Sequence, residues 1–366
     1  MAAAACAGSS SAPSPRQPCA MRRARCWSST RSAARPRNAT PRRPDVPYRR
    51  ILVPTDFSAT AERAAALAAA LARRDGAELT LLHVSPMADF AFMAVEPIYL
   101  PEELWERLWD REVAHIQREL DDLQAKLERG AGGELTVRTT YRRGDPAVRI
   151  AAEAREGCAD LIVMGTRGAG GGLRHLFGGV AEAVARTAPC PVFLATASAP
   201  AQPPSHALAC IDYSAFSEPV LEQAAALVGA RGTLTCLHVW QHPPLIAAEP
   251  LAEFTAEIER ARAAEARRLA EFVDSSPAGD LCAAKRFEIG SPARTILETA
   301  EEVKADVIAL GSHGRRGVER IIGTVADRVL RNADVPVLMV PEASLEGGRE
   351  AADDAAGEEP EDTDAR

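Results

Sequence analysis

Two stretches of the sequence place glycines where an apolar strand gives way to a helix. Ile162–Ala185 reads "IVMGTRGAGGGLRHLFGGVAEAVA" and Ile308–Leu330 reads "IALGSHGRRGVERIIGTVADRVL". In the first, Gly165 and Gly168 are followed, after nine residues, by Gly178 and Gly179; in the second, Gly311 and Gly314 are followed, after eight, by Gly323 and Thr324. The chemistry that suits such a pattern is the gripping of an anion. Glycines at Gly165 and Gly168 can take positive φ and let backbone amides point into a cavity. The helix opened by Gly178 then contributes unpaired N–H groups and a dipole that favours negative charge. Thr324 adds a hydroxyl donor at the second helix start. Arg167, His313, Arg315 and Arg316 flank the loops, where exposed basic residues are common on any surface. The competing reading is a tight strand–helix turn with an N-cap at Thr324. A bare G-x-x-G arises about twice by chance in a chain this long. The later glycine and the recurrence after a strand favour phosphate.

Other residues bear on the same chemistry. Asp56 in "PTDFS" and Asp212 in "IDYS" each follow an apolar strand and precede a helix. Such a residue caps the helix, contacts a ligand, or does both. His83 and His238 recur within strands without a partner at metal-ligand spacing, which reads as structural. No general base or nucleophile converges on the loops, so efficient hydrolysis is not expected. No Gly-x-x-x-x-Gly-Lys is present, and Leu173 breaks G-x-G-x-x-G, so neither a P-loop nor a Rossmann dehydrogenase is indicated.

The elements that position these residues repeat. "RRILVPTDFSATAERAAALAAALARRDGAELTLLHV" from Arg49 matches "HALACIDYSAFSEPVLEQAAALVGARGTLTCLHV" from His206, pairing Asp56 with Asp212 and Val84 with Val239. "ADLIVMGT" matches "ADVIALGS", and "APCPVFLA" matches "ADVPVLMV". Two units result, at 49–196 and 206–341, joined by a Pro/Ala linker at 197–205. Each reads as alternating strands and helices, with long helices expected near Pro101–Arg129 and Ala252–Val273. Strands apolar on both faces imply parallel sheets between helix layers. The expected fold is therefore α/β: two doubly wound, five-stranded parallel-sheet domains in tandem. Asp56, Val84 and Gly165 fall at the carboxyl ends of strands, as do Asp212, Val239 and Gly311, where such sheets bind ligands.

The chain has 366 residues, 46% hydrophobic, enough for two sizeable cores, and a net charge of −8 that gives no general attraction to nucleic acid. Residues 1–48 form a basic tail and 342–366 an acidic one, both expected to be disordered. The basic tail reads as an unstructured extension, as a start placed upstream of Met21, or as an organelle transit peptide. Scattered cysteines argue for a reducing compartment, and no apolar run spans a bilayer.

With "ILVPTDFS", "LTLLHV", "ADVIALGSHG" and "VPVLMV" in view, the chain resembles a tandem universal stress protein over both units. The resemblance implies an adenine-nucleotide-binding fold holding ATP, with or without Mg2+. It also implies a cytoplasmic, nucleotide-responsive stress regulator rather than an enzyme, and pairing through the last strands, within the chain or in a homodimer. Carried over, Asp56 and Asp212 contact adenosine, beside Pro54 in the first unit, and Val84 and Val239 contact adenine through their backbone. Gly165, Gly168, Gly178 and the Gly179 amide hold phosphates in the first unit; Gly311, Gly314, Gly323 and Thr324 do so in the second. Gly179 replaces the family's Ser/Thr, a lost hydrogen bond to a charged group costing about 1.5–3 kcal/mol. The second loop is one residue short, which threatens the placement of Gly323, and Cys210 and Ile211 stand for Pro54 and Thr55. The alternatives are an adaptor without nucleotide, a slow ATPase, or an enzyme of the wider adenine-binding group, although that group's SGG-x-[DS] and H-x-G-H motifs are absent. The stretch Ser85–Leu104 reads as a lid over the adenine pocket, or as an ordinary surface loop.

Overall fold

The computed structural model describes residues 48–86, 102–132, 135–166, 178–241, 255–312 and 322–342. The first unit runs β1 (Arg50–Pro54), α1 (Ala59–Asp75), β2 (Glu78–Ser85), α2 (Glu102–Gly130), β3 (Val137–Arg143), α3 (Pro146–Glu156), β4 (Leu161–Gly165), α4 (Gly179–Thr187) and β5 (Val192–Ala195). The second repeats it: β6 (His206–Ile211), α5 (Ser217–Val228), β7 (Thr233–Trp240), α6 (Thr255–Ser275), β8 (Cys282–Ile289), α7 (Pro292–Glu302), β9 (Val307–Gly311), α8 (Thr324–Asn332) and β10 (Val337–Val340). The two long helices expected from the sequence are α2 and α6.

Local chemistry sets these boundaries. Ser58 Oγ accepts the Ala61 amide to begin α1, and Gly76 ends it at φ 69°, a left-handed conformation that glycine adopts at little cost. Asp145 caps α3 through the Val148 amide, with Pro146 in the first turn. Six of the nine alanines of α1 are buried, and their small side chains bring the helix close to the sheet.

Strand order is β3-β2-β1-β4-β5-β10-β9-β6-β7-β8, one ten-stranded sheet. Within each unit every pairing is parallel. The units meet where β5 and β10 run antiparallel, Phe193 opposite Leu338 and Leu194 opposite Val337. Alternate residues of these strands enter opposite faces: Phe193 and Leu338 join one core, Leu194 and Val337 the other. The sequence suggests one core per unit; the structure partitions them by sheet face instead. One core lies beneath α1, α2, α5 and α6, the other beneath α3, α4, α7 and α8, and each draws residues from both units.

Polar contacts also cross the junction. The Arg74 guanidinium donates to the carbonyls of Leu227 at 2.5 Å and Ala226 at 2.9 Å, at the carboxyl end of α5, where unpaired carbonyls favour a cation. On the other face, Arg331 of α8 pairs with Glu182 of α4 at 3.3 Å.

Candidate functional site

The strand order reverses between β1 and β4 in one unit and between β6 and β9 in the other. The crevice beyond their carboxyl ends is where open α/β sheets receive ligands. Pro54 ends β1, buried and in register with Leu82. The Thr55 amide still donates to the Leu82 carbonyl at 2.8 Å. There the chain turns. Asp56 is exposed, and its Oδ1 accepts the Ser58 amide at 3.1 Å. Asp212 is half-buried; its Oδ1 accepts the Ser214 amide at 2.9 Å and the Ser217 hydroxyl at 3.3 Å. Ser217 corresponds to Ala61, so that hydroxyl has no counterpart in the first unit. The capping role open to Asp56 on sequence grounds belongs to Ser58, because the turn takes two more residues before α1 begins.

Those two residues explain a feature the sequence conceals. Phe57 and Tyr213 lie at φ 60° and 61°, a left-handed conformation that is unusual for bulky side chains. Each ring is thereby delivered onto a histidine. Phe57 stacks on His83 at 4.7 Å between centroids, with Tyr141 beyond at 6.2 Å. Tyr213 lies 4.5 Å from His238, with Phe287 beyond at 5.9 Å. Tyrosine and phenylalanine have exchanged places around the same imidazole. His83 Nδ1–H donates to the Thr55 carbonyl at 2.8 Å, and His238 Nδ1–H to the Ile211 carbonyl at 2.7 Å. The histidines are therefore fasteners, tying β2 and β7 to the turns that carry Asp56 and Asp212. Burial, with Glu265 adding, pushes the Tyr213 hydroxyl up to about 12, opposed by Arg268, whose guanidinium sits 4.1 Å over the ring. Val84 and Val239 come one residue after the histidines, Val84 buried and Val239 half-buried, at the same end of the sheet.

The glycines divide into two kinds. Gly165 and Gly311 do not adopt positive φ; they are the last residues of β4 and β9, in the sheet ladder. A Cβ on Gly165 would stand 2.9 Å from Thr60 Cγ2, and one on Gly311 would stand 2.7 Å from Phe216 Cβ. These positions are glycine because the first turn of α1, or the residue before α5, lies against the strand. Gly178 and Gly323 are the N-caps of α4 and α8, so Thr324 is the first helical residue and not the cap. The Gly178 amide donates to the Thr166 carbonyl at 3.0 Å and the Gly323 amide to the Ser312 carbonyl at 2.8 Å. The missing residue of the second loop therefore leaves Gly323 anchored as Gly178 is. That donation uses up the cap amide, and the first-turn amides of Gly179 and Thr324 follow it, unpaired within their helices. A Cβ on Gly179 would meet open space.

Gly168 and Gly314 lie outside the described residues, as do Arg167, His313, Arg315 and Arg316, most of the proposed lid and both tails except their inner ends, Glu342 and Tyr48. Tyr48 is buried in the core, its hydroxyl donating to the Gln223 carbonyl at 3.4 Å, so the first unit takes in one residue before the expected boundary. Among the described residues, no group of three or more His, Cys, Asp or Glu is arranged to hold a metal ion, so Mg2+ finds no protein cage there. Nor is any described helix long and apolar enough to cross a membrane. Sequence reasoning missed Thr166 and Ser312 as helix anchors, and the aromatic pairs about the histidines. Their signal is recurrence at matched positions of the two units.

Comparison with known proteins bears on this architecture. The profile of the Universal stress protein family matches residues 47–195 and 205–341. A universal stress protein of Mycolicibacterium smegmatis is 31% identical over 298 residues, covering 79% of this chain and 96% of the relative. One from Mycobacterium tuberculosis is 29% identical over 294 residues, with the same coverage of 79% and 96%. Among solved structures, a universal stress protein from Archaeoglobus fulgidus superposes with a TM-score of 0.57 at 23% identity, covering 80% of this chain and 98% of that one.

Proposed function

Since the chain belongs to the universal stress protein family, with two tandem domains, we propose that it binds an adenine nucleotide, ATP, in each unit and serves as a nucleotide-responsive regulator in the cytoplasm. The observation that carries this reading is the placement of α4 and α8. Each helix start is fixed by its cap amide to the carbonyl of Thr166 or Ser312, beside the strand-order reversal, with the next amides unpaired within the helix. A helix start so placed receives phosphate. Gly165, Gly168, Gly178 and Gly179 serve the first site, and Gly311, Gly314, Gly323 and Thr324 the second. Asp56 with Pro54, and Asp212, serve the adenosine end, with Val84 and Val239 toward the base. Mg2+, when present, is held by the phosphates.

The sites are inequivalent. The second keeps the Thr324 hydroxyl, but a ribose hydroxyl approaching Asp212 competes with Ser217. The first has the exposed Asp56 and lacks the hydroxyl at Gly179. The carboxylates in the first turns of α4 and α8, Glu182 and Asp327, are both paired with Arg331, which supports slow turnover at most. The antiparallel pairing of β5 with β10 supports intramolecular rather than homodimeric use of the last strands. Nucleotide then acts on partner choice rather than on dimerisation through those strands.

A thermal-shift titration tests the reading. A ligand at a hundredfold excess over Kd stabilises its site by about 2.7 kcal/mol, or roughly 5–10 °C for a unit of this size. The shift should shrink when Gly168 or Gly314 is made bulky, and endogenous ATP should accompany the purified chain. Protein that emerges empty and ignores millimolar ATP is the adaptor, whereas phosphate release in the same sample marks the ATPase. Gly179→Ser has room for its side chain, and the restored donor should tighten the first site about tenfold or more, as read by calorimetry. Unchanged affinity would place the phosphates elsewhere.

A further inference from the structure

Away from the nucleotide crevices, β7 and β8 bring two cysteines together. Cys236 lies within β7 and is fully buried, while Cys282 opens β8 and is half-buried. The strands run parallel, with Leu234 opposite Cys282 but Thr235 opposite Ala284, a bulge that skips Ala283. Leu234 and Cys236 share one face of β7. That face packs in the core beneath α6, with Leu269, Val273 and Ala278. A bulge re-aims the side chains beside it, and here the two sulfurs come within 3.0 Å. Both cysteines are free thiols.

Their surroundings differ in the way a two-cysteine reaction needs. As a thiol Cys282 donates to Cys236 Sγ at 3.0 Å and lies 3.2 Å from the Ala284 carbonyl. Once Cys282 is ionised Cys236 donates back to it, which brings the Cys282 thiol down to about 7 against the opposing effect of burial, with the Lys285 ammonium adding to the lowering. The same hydrogen bond, together with burial, pushes Cys236 up. The half-buried partner is the better thiolate, and the fully buried partner keeps its proton until the first sulfur has reacted.

The geometry points to Cys236 and Cys282 as a reversible oxidation site, with Cys282 attacking a small hydroperoxide and Cys236 resolving the product. In the first step the Cys282 thiolate attacks the distal peroxide oxygen. An S–O bond forms, the O–O bond breaks, and the departing alkoxide takes a proton and leaves as the alcohol, or as water from hydrogen peroxide. Cys282 is left as a sulfenic acid. In the second step Cys236 gives up its proton and its sulfur attacks Cys282. The S–S bond forms, the S–O bond breaks, and hydroxide leaves with that proton as water. Two thiols lose two electrons to one peroxide, and an external dithiol reverses the change by exchange. The disulfide staples the outer strand β8 to β7, which ends at His238, Val239 and Trp240 at the mouth of the second crevice.

The test is peptide mapping of the full chain after hydrogen peroxide, with free thiols alkylated by iodoacetamide under denaturing conditions. The expected product is a cross-linked peptide pair holding Cys236 and Cys282, absent before peroxide and distinct from the disulfide that Cys158 already holds, lighter by two hydrogens and restored by dithiothreitol. Cys236→Ser should leave a sulfenic acid at Cys282 that dimedone traps, whereas Cys282→Ser should leave Cys236 reduced. Two outcomes overturn the assignment: Cys236 and Cys282 both fully alkylated after peroxide has oxidised other thiols of the chain, or Cys236 oxidised as fast in Cys282→Ser as in the wild type. The wild-type map decides the matter alone if either variant fails to fold.

Discussion

At the scale of single residues, the same amino acid answers different demands a few positions apart. Gly165 and Gly311 are required by close packing; Gly178 and Gly323 are caps whose amides fold back onto the strand end. The packing claim separates the two units. At Gly165 the nearest atom is Thr60 Cγ2, the end of a side chain, whereas at Gly311 Phe216 Cβ, fixed to the backbone, stands as close as Cγ, both at 2.7 Å. Overpacking costs about 1–3 kcal/mol. Gly165→Ala should therefore destabilise modestly and be largely rescued by Thr60→Ala, which removes the obstructing methyl. Gly311→Ala should cost more, and Phe216→Ala should not rescue it, because Phe216 Cβ remains. Denaturant midpoints of the four variants read this out, and equal rescue in both units would refute the packing account. The sequence carried the recurrence of these glycines but not their reason, because each obstructing residue lies about a hundred positions away and meets the glycine only after β1 and β4, or β6 and β9, have paired. Phe57 and Tyr213 were equally hidden: no local preference places an aromatic in the left-handed region, and only the histidine stack explains it.

Among the elements, what was legible is what periodicity and strand chemistry dictate. Short strands apolar on both faces gave a parallel sheet, and helical spacing gave α2 and α6. Side chains that act across the sheet were not legible. Asp160 and Asp306, each just ahead of a central strand, serve the amides that open the neighbouring one. Asp160 accepts from Arg49 at 2.8 Å and Arg50 at 3.2 Å. Asp306 accepts from the Ser205 amide at 2.8 Å, the Ser205 hydroxyl at 2.7 Å and the His206 amide at 2.9 Å. Matched positions titrate in opposite directions. Burial raises Asp160 to about 6 against its hydrogen bonds, whereas at Asp306 the three hydrogen bonds and the nearby His206 outweigh burial and lower it. In its folded state Asp160 binds a proton more readily than in the unfolded chain. Its contribution is thus greatest below about pH 4 and is lost as pH rises toward 6. Asp306 has the reverse sign: its contribution is present above the unfolded value and lost as pH falls below it. Relative to Asp160→Asn, the wild type should gain stability on acidification from pH 7 to pH 5. Relative to Asp306→Asn, it should hold steady over that range and lose stability below pH 4. Melting temperatures across pH 3.5–7.5 check both, and parallel curves for the two pairs would show that the aspartates are electrostatically alike.

For the whole molecule, the distribution of charge along the strands states where the sheet ends. The outer strands carry charges, Arg138, Arg142 and Arg143 on β3 and Lys285, Arg286 and Glu288 on β8, as exposed edges commonly do to avoid further pairing. The inner strands β5 and β10 are "VFLA" and "VLMV", every residue of them buried. An uncharged apolar edge of that kind invites association, so a unit standing alone would expose the edge that the tandem arrangement covers. Pairing within one chain also keeps the partner at high effective concentration, however dilute the protein. The register gives a direct test. Val192 stands opposite Met339 across the antiparallel pair, where Cα atoms lie about 4.5–5.5 Å apart, within reach of a disulfide. The double variant Val192→Cys, Met339→Cys should oxidise to a cross-linked monomer that migrates on a non-reducing gel with the 39.0 kDa chain and releases no dimer on reduction. A covalent dimer at twice that mass would mean that the last strands pair between chains, and the two crevices of one sheet would then belong to different molecules.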